Sequence, residues 1–153
     1  MRVAINGFGR IGRSVFRILN DKEGVEVVAI NDISDNEALA YLLRYDTVMG
    51  RFPDEVTIEG DVLRTSHQTT QMTSIPDPAA LPWTQLAVDY VIEATGRFRV
   101  RAELEKHLEA GARKVILTVP AKDEIDFMVV LGVNDDQLCA DHRIISNASC
   151  TTN

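Results

Sequence analysis

Short apolar runs separated by turn residues recur along the chain and predict the strands of a buried sheet. The runs are apolar on successive positions rather than alternate ones and are rich in β-branched side chains, which is typical of strands covered on both faces. They lie at residues 3–5, 25–30, 90–94, 115–118, 127–131 and 144–146. We therefore expect strands at these six places, mostly paired in parallel.

Helical periodicity appears between the strands. One helical face is predicted from the spacing of four apolar side chains, Ile11, Val15, Ile18 and Leu19. Ser34 and Glu37 have the spacing of a capping box and predict a helix that runs through Leu43. A third helix is predicted at residues 101–110, and Gly111 stands where a C-terminal cap belongs.

The alternation of strand and helix predicts an α/β fold of the Rossmann type, doubly wound around a mainly parallel sheet. Residues 56–63 depart from the alternation, because two short strands around a Gly-Asp turn indicate a small antiparallel insertion. Residues 74–78 form a loop stiffened by two prolines. No repeat or composition change divides the chain, so we expect one domain over residues 1–153.

The composition narrows the possible partners. With 16 basic and 23 acidic side chains the formal net charge is −7, which argues against a nucleic acid or an anionic membrane surface as partner. Two cysteines are too few for a disulfide framework. No run approaches the roughly 20 apolar residues of a membrane span, and the N-terminus lacks a signal-peptide pattern. We expect a cytoplasmic protein.

Residues 7–12, Gly-Phe-Gly-Arg-Ile-Gly, fit the glycine pattern that binds dinucleotides. The pattern directly follows the first predicted strand and opens the first predicted helix, which is the context that gives it meaning. Gly7 permits the tight turn, Gly9 lets the pyrophosphate approach the backbone, and Gly12 lets the helix pack closely on the strand. The phosphates would lie on free N–H groups at the positive end of the helix dipole.

Asp32 stands at the end of the second predicted strand, about twenty positions after Gly12. A carboxylate there accepts both hydroxyls of the adenosine ribose and repels a 2′-phosphate, so we predict NAD rather than NADP as the cofactor. The plainer alternative is a glycine-rich turn followed by an incidental acid. The joint presence of strand, helix, spacing and acid favours dinucleotide binding.

Cys150 follows the last predicted strand, in the run S-N-A-S-C-T-T-N at residues 146–153. A thiol that enters a predicted helix from a strand end lies in a field that favours the nucleophilic thiolate. The neighbouring hydroxyls and backbone amides could hold an anion or an oxyanion. Free cysteines are also common as inert core residues, so the spacing alone leaves both interpretations open.

The run at residues 146–153 resembles the active-site signature of the phosphorylating glyceraldehyde-3-phosphate dehydrogenases. The resemblance extends along the chain through I-N-G-F-G-R-I-G-R, L-L-R-Y-D-T-V-M-G-R-F, A-T-G-R-F and A-G-A-R-K-V-I-L-T-V-P-A-K-D. It implies an NAD-binding domain that ends just after the nucleophile, within an enzyme that is a homotetramer. The base histidine and the ligands of the substrate phosphate are then expected in a following domain, absent from residues 1–153.

The resemblance also implies residue roles. Cys150 would attack a small phosphorylated aldehyde, hydride would pass to NAD, and inorganic phosphate, bound by Ser149 and Thr151, would cleave the thioester. Thr95, Gly96 and Phe98 resemble the loop under the adenosine half of NAD, and Thr118 a hydroxyl on the nicotinamide side. The full set of predicted cofactor residues is Gly7, Gly9, Arg10, Ile11, Gly12, Asp32, Thr95, Gly96, Phe98 and Thr118. No metal site is predicted.

Two alternatives stay open. Erythrose-4-phosphate dehydrogenase performs the same chemistry on a longer aldehyde, although Asp32 and residues 121–123 are more similar to the glyceraldehyde enzyme. An NAD-binding module without catalysis is the alternative of another class. The chain also departs from the family at residues 74–78, where such enzymes often carry an arginine near the adenine.

Simpler roles are predicted for the remaining notable side chains. We expect surface positions for the three histidines, His67, His107 and His142, and therefore no general base among them. Cys139 is predicted to be a packing residue and Trp83 a core residue. The arginines of residues 97–101 are predicted to form the solvated start of a helix rather than an anion site.

Overall fold

The computed structural model describes all residues from 1 to 153 as an α/β fold with one large sheet. The strands are β1 (Arg2–Asn6), β2 (Glu26–Asn31), β3 (Tyr45–Asp46), β4 (Gly50–Arg51), β5 (Thr57–Glu59), β6 (Val62–Arg64), β7 (Thr69–Thr73), β8 (Tyr90–Glu93), β9 (Lys114–Leu117), β10 (Phe127–Met128) and β11 (Ile144–Ser146). The helices are α1 (Arg10–Leu19), α2 (Asn36–Arg44) and α3 (Arg101–Glu109), with 3₁₀ turns at Pro78–Ala80 and Asp135–Gln137.

The large sheet has the order β10-β11-β9-β8-β1-β2-β7-β6-β5. Every neighbouring pair from β10 to β7 is parallel, whereas β6 and β5 are antiparallel at one edge. The chain moves outward from β1 to β2 and β7 on one side, then returns to place β8 and β9 on the other. This reversal is the topological switch point of a doubly wound sheet, so the predicted fold class is confirmed.

Both faces of the sheet are covered, as the unbroken apolar runs predict. Ala4 and Ile5, successive residues of β1, belong to different core clusters. Ile5 packs with Phe16 of α1 on one face, and Ala4 packs in the cluster that contains Trp83 on the other. All four are fully buried, which fixes the carboxyl end of β1 in the middle of the molecule.

The predicted apolar face of α1 is wrong in part. Ile11 and Ile18 are 49% and 61% exposed, whereas Gly12 and Phe16 are buried. The buried stripe is centred on Gly12 because a glycine allows the helix backbone to lie directly against the turn that follows β1. A glycine carries no apolar side chain, so the hydrophobic pattern predicts a helix face displaced from the one that is buried.

Two local predictions along the chain also need correction. The N-cap of α2 is Asp35, whose side chain accepts a hydrogen bond from the N–H of Ala38 at 2.9 Å, and not Ser34. Strand β7 was not predicted, because Thr70 and Met72 are its buried residues and the run is otherwise polar. By contrast, Gly111 follows α3 with φ of +114° and confirms the predicted cap.

Trp83 is fully buried as predicted, but two other side-chain predictions are wrong. His107 is fully buried rather than on the surface, because both of its ring nitrogens find polar partners inside the protein. Cys139 is exposed rather than packed. His67 is exposed, and His142 is half-buried, with its ring stacked on Phe127 at 4.8 Å between centroids.

Asp126 connects the start of α3 to the start of β11. Its Oδ1 accepts a hydrogen bond from Arg101 Nη2 at 2.6 Å, and its Oδ2 accepts from the backbone N–H groups of Arg143 and Ile144. Desolvation raises the pKa of Asp126, but the hydrogen bonds from Arg101 and the backbone outweigh it and lower the pKa to about 2.

We expect Asp126 to stabilise the fold above about pH 4 and to lose this contribution as the pH falls towards 2. The folded-state pKa lies below the unfolded value of about 3.9, so the stabilisation is complete above the unfolded value and disappears through the folded one. Urea unfolding from pH 7 to 2 measures it. Asp126→Asn should be less stable at pH 7, and the difference from wild type should shrink in acid; a constant difference would contradict this role.

Candidate functional site

The predicted site residues follow the carboxyl ends of parallel strands. Gly7 follows β1, Asp32 follows β2, Thr95 comes just after β8, Thr118 follows β9, and Cys150 comes after β11. Since the carboxyl ends of parallel strands meet at the same edge of a sheet, the fold brings these residues to one edge. The switch point between β1 and β8 opens a crevice there.

A cavity of about 340 Å³ lies in this crevice, a volume typical of small-molecule sites. Five predicted cofactor residues line it, namely Gly7, Gly9, Asp32, Thr95 and Phe98. The other lining residues, which the sequence analysis did not assign to the site, are Asn6, Asn31, Ile33, Ile75, Pro76, Ala94 and Arg97. Only their positions next to strand ends could have indicated them.

The three glycines of the turn have different surroundings. Gly7 has φ of +91°, and an added Cβ would lie 2.6 Å from the backbone nitrogen of Thr95. A Cβ on Gly12 would overlap the carbonyl oxygen of Gly7. At Gly9, in contrast, no atom lies within 4 Å of the Cβ position. Gly7 and Gly12 are therefore required by packing, whereas the open space at Gly9 belongs to the cavity.

The N-terminus of α1 presents free backbone donors beside this space. Gly9 is the N-cap and supplies no side chain to cap the helix. The first intrahelical bond comes from the N–H of Arg13 to the carbonyl of Gly9, so the N–H groups of Gly9, Arg10 and Ile11 donate to no protein atom. Unpaired amides at the positive end of a helix dipole are suited to bind a phosphate.

Asp32 holds the glycine turn as well as lining the cavity. Its Oδ2 accepts a hydrogen bond from the N–H of Phe8 at 2.7 Å, and its Oδ1 accepts from the N–H of Ser34 at 2.9 Å. A carboxylate has about four acceptor positions, so two remain for ligand hydroxyls. The sequence indicated the second role and gave no sign of the first.

Arg13 supports the same turn from within α1. Its Nη1 donates to the carbonyl of Phe8 at 2.9 Å, and its Nε is buried without a hydrogen-bond partner. Burial lowers the pKa of Arg13, and the nearby charge of Arg10 lowers it further. Arg13 therefore ties the glycine turn to α1 through the carbonyl of Phe8.

Five predicted cofactor residues do not line the cavity. The guanidinium of Arg10 pairs with Asp46 at 3.1 Å, so only its backbone N–H faces the turn. Backbone hydrogen bonds from Met49 and Val48 lower the pKa of Asp46 to about 2, with a smaller contribution from Arg10. Of the remaining four, Ile11 has an exposed side chain, and Gly12 packs on Gly7. Gly96 lies in a turn with φ of +69°, and the hydroxyl of Thr118 donates to the carbonyl of Glu93.

Of the three arginines predicted to be solvated at residues 97–101, Arg97 is exposed and Arg99 and Arg101 are half-buried. Arg99 donates to the carbonyl of Pro120, and Arg101 pairs with Asp126, but Arg97 lines the cavity with its guanidinium 5.7 Å from the centroid of the Phe98 ring. It is the only Lys or Arg among the lining residues and forms no ion pair. The rim of the cavity therefore carries a cation.

Segment 74–78 forms the opposite part of the cavity lining. Ile75 and Pro76 face the cavity, whereas the carboxylate of Asp77 pairs with Lys106 at 3.1 Å. No arginine occupies this segment. The lining here is apolar, which suits the flat surface of a base rather than a charge.

Cys150 is exposed in a turn beyond β11 and is separate from the residues that line the cavity. The N–H groups of Thr152 and Asn153 both donate to the carbonyl of Ser149 and close a turn around the thiol, and the helix expected to follow stays a prediction. The hydroxyl oxygens of Ser149 and Thr151 lie 3.1 Å apart. Two hydroxyls therefore flank the thiol, and no hydrogen bond joins Cys150 to a histidine.

No group of three or more His, Cys, Asp or Glu side chains is arranged so that it could hold a metal ion. None of the helices combines the length and the apolar character that crossing a membrane requires.

Comparison with known proteins gives a consistent family. The family model described as "Glyceraldehyde 3-phosphate dehydrogenase, NAD binding domain" matches residues 1–101. Similar relatives named glyceraldehyde-3-phosphate dehydrogenase come from Thermotoga maritima, 54% identical over 99% of the chain, and from Priestia megaterium, 51% identical over all of it. The chain spans 46% of the length of each of these relatives. The chain therefore belongs to the family of glyceraldehyde 3-phosphate dehydrogenase NAD-binding domains, and its cofactor is NAD.

Proposed function

We propose that this chain is the NAD-binding part of an NAD-dependent, phosphorylating glyceraldehyde-3-phosphate dehydrogenase, with Cys150 as its nucleophile. The observation that carries the proposal is the shared sheet edge. The free amides after Gly9 and the carboxylate of Asp32 lie at that edge, and the turn of Cys150 follows β11 at the same edge. One edge could thus present the two halves of a dinucleotide to a thiol.

The cavity accounts for the adenosine half of NAD. The pyrophosphate would lie on the N–H groups of Gly9, Arg10 and Ile11, where charge-assisted hydrogen bonds are strongest. The ribose hydroxyls would donate to the free acceptor positions of Asp32. The adenine would contact the apolar lining residues Ile33, Ile75, Pro76 and Phe98. Thr118, at the end of β9, would then lie on the nicotinamide side.

The chemistry would take place on the Cys150 sulfur. Its thiolate attacks the aldehyde carbon of glyceraldehyde 3-phosphate and forms a hemithioacetal. NAD, when bound, accepts the hydride that leaves this carbon. A base removes the hydroxyl proton, which leaves a thioester. A phosphate oxygen, oriented by the hydroxyls of Ser149 and Thr151, attacks the thioester carbonyl, and the acyl phosphate departs as the thiolate re-forms.

Two other functions are compatible with the same fold. The names of the relatives favour glyceraldehyde 3-phosphate over erythrose 4-phosphate as the substrate. An NAD-binding module without catalysis is favoured by a single observation, that no histidine bonds to Cys150. The homotetramer that the family resemblance implies stays a prediction, as does a following domain that supplies the base.

We expect the chain to bind NAD more tightly than NADP, and Asp32→Ala to narrow the difference. The variant loses charge-assisted hydrogen bonds to the ribose, each worth roughly 1.5–3 kcal/mol, and no longer repels a 2′-phosphate. NAD affinity should therefore fall by about 10- to 100-fold. Calorimetric titration of both cofactors measures this result.

Asp35→Ala is the matched control for this test, because Asp35 is an acid of the same loop that caps α2 and does not line the cavity. It should lower the stability by about 1 kcal/mol and leave the ratio of NAD to NADP affinity unchanged. If the wild-type chain binds NADP as well as NAD, the role proposed for Asp32 is wrong.

A further inference from the structure

A continuous chain of hydrogen bonds runs along the carboxyl ends of four parallel strands, under the cavity. Thr73 of β7 donates from its hydroxyl to Asn31 Oδ1 at 2.9 Å, and Asn31 of β2 donates from Nδ2 to Asn6 Oδ1 at 2.7 Å. Asn6 of β1 donates from Nδ2 to Glu93 Oε2 of β8 at 2.6 Å. Asn6, Asn31 and Glu93 are 1%, 5% and 0% exposed, so every bond must be satisfied inside the protein.

Glu93 is the acceptor on which this chain ends. Besides Asn6, its Oε2 meets the Nε2 of His107 at 3.0 Å. Its Oε1 accepts from the backbone N–H of Thr95 at 2.9 Å and from the Thr95 hydroxyl. Four donors thus fill the roughly four acceptor positions of a carboxylate. No lysine or arginine pairs with Glu93, so hydrogen bonds alone compensate its burial.

Trp83 fixes the tautomer of His107. The indole N–H of Trp83 can only donate, and it lies 3.0 Å from Nδ1 of His107. Nδ1 must therefore accept, which leaves the hydrogen of the neutral ring on Nε2, facing Glu93. Both rings are fully buried. His107 therefore donates from Nε2 to the carboxylate of Glu93 and is not available for proton transfer elsewhere.

We propose that Glu93 is a positioning residue that shapes the adenosine half of the NAD site through Thr95. Thr95 lines the cavity, and its hydroxyl also accepts from the N–H of Arg97 at 3.1 Å. Between them, Gly96 has φ of +69°, a turn that needs fixed ends. The carboxylate of Glu93 therefore holds both the backbone and the side chain of the residue on which this turn depends. The inference rests on the proposed binding of NAD in this cavity.

The same carboxylate also sets the opposite side of the cavity. Because Glu93 only accepts, Asn6 must turn its NH₂ towards it and its oxygen towards Asn31. Asn31 must then turn its NH₂ to Asn6 and its oxygen away. In that orientation Asn31 binds both polar backbone atoms of Ile75, accepting from its N–H at 2.8 Å and donating to its carbonyl at 2.9 Å. Ile75 and Thr95 are thus both positioned relative to Glu93.

Glu93→Gln would keep the shape of the side chain and break this arrangement. If the amide oxygen faces Asn6 and His107, the NH₂ group meets the N–H of Thr95 and the turn loses its anchor. If the amide is reversed, its NH₂ faces the N–H of His107, and two donors meet. To accept from this NH₂, Asn6 would have to exchange the places of its oxygen and NH₂, and Asn31 would have to do the same. The NH₂ of Asn31 would then face the N–H of Ile75. Either orientation leaves one side of the cavity without its hydrogen bonds.

The direction of the change in NAD affinity distinguishes a positioning role of Glu93 from a purely electrostatic one. Glu93→Gln removes a negative charge near an anionic cofactor, so electrostatics alone would make NAD bind more tightly. Loss of the Thr95 anchor instead predicts weaker binding, by about tenfold or more. AMP, which contains only the adenosine half, should lose affinity by the same factor, whereas nicotinamide mononucleotide should lose none.

The test is calorimetric titration of the whole chain with NAD, AMP and nicotinamide mononucleotide, together with amide hydrogen exchange followed by NMR. Glu93→Gln should increase exchange at Thr95 and Arg97. Leu104→Val, a buried change on α3 outside the hydrogen-bond chain, is the control for lost stability and should leave both readouts unchanged. Affinity for NAD equal to or above that of wild type in a folded Glu93→Gln protein would overturn the proposal.

Two further results keep the test decisive. If Glu93→Gln does not fold, the wild-type spectrum decides, because a Thr95 amide anchored on Glu93 must be protected from exchange and an unanchored one must not. If the wild-type chain fails to bind NAD at all, the proposed function fails first. If it binds NAD and only the Thr95 results are negative, the role of Glu93 alone is wrong.

Discussion

Gly9→Val is expected to abolish measurable NAD binding in a chain that still folds. The Cβ position of Gly9 has no neighbour within 4 Å, and its φ of −70° is an ordinary value for an L-residue, so valine fits the protein. Its two methyl groups would stand in front of the free N–H groups of Arg10 and Ile11. Several charge-assisted hydrogen bonds to the pyrophosphate would be lost together, which corresponds to about a 100-fold or greater loss of affinity.

Titration calorimetry measures the affinity, and circular dichroism with urea unfolding checks the fold. Gly9→Ala provides a graded control, because one methyl group should cost less affinity than three carbons. Gly12→Ala provides the opposite control: its Cβ would overlap the carbonyl of Gly7, so the main loss should be of stability. Wild-type affinity in a folded Gly9→Val protein would show that the pyrophosphate lies elsewhere.

A protein of these 153 residues is expected to bind NAD without forming NADH from glyceraldehyde 3-phosphate at an enzymatic rate. All three histidines are accounted for. His107 is buried between Trp83 and Glu93, and His67 lies exposed in the loop between β6 and β7. His142 stacks on Phe127, and its Nδ1 accepts from the backbone N–H of Cys139. None is bonded to Cys150.

Without a histidine beside Cys150, the chain lacks a general base for the hydride-transfer step. General-base help is typically worth 10²–10⁴-fold in such steps, and a substrate that is not held against the cofactor loses still more. Turnover should therefore fall several orders of magnitude below the common enzymatic value of about 10 per second. Cys150 is nonetheless exposed and should react with iodoacetamide, as should the exposed Cys139.

The measurement is NADH absorbance with glyceraldehyde 3-phosphate, NAD and phosphate, using the chain free of any longer enzyme. A chimera that joins this chain to the remainder of the Thermotoga maritima relative is the positive control. The chimera should turn over, Cys150→Ser should abolish its activity, and Cys139→Ser should not. Ordinary turnover by the 153-residue chain alone would mean that a base lies within it, and His142 would be examined first.

The parts of the fold that the sequence predicted share one physical property. Strands β1, β2 and β11 bury successive residues, and β8 and β9 alternate buried with half-buried ones, so each of these strands contains a run of apolar side chains. Strand β7 lies next to the antiparallel hairpin and buries only Thr70 and Met72 between polar residues, so its signal is weak. Gly12 disturbed the helix prediction in the same way, because its importance comes from the absence of a side chain.

The residues of the site also fall into those that the sequence predicted and those that it did not. The glycine turn and Asp32 were predictable because their backbone and charge requirements fix residue types at a known spacing. The sequence did not predict four buried polar residues of the site region, Asn6, Asn31, Glu93 and His107. Each has a hydrogen-bond partner that is distant in sequence; Asn6, for example, bonds to Glu93, 87 residues away. A polar residue buried by a long-range partner resembles a surface residue until the fold is known, as the wrong prediction for His107 shows.

The central place of β1 has a consequence for biosynthesis. The ribosome makes β1 shortly before β2, which pairs with one edge of β1, and long before β8, which pairs with the other edge. That edge, with the apolar residues Val3, Ala4 and Ile5, stays open until residues 90–93 emerge. At roughly 5–20 residues per second, the delay lasts several seconds. The speed of translation between β2 and β8 therefore sets how long a nascent chain exposes an aggregation-prone strand edge.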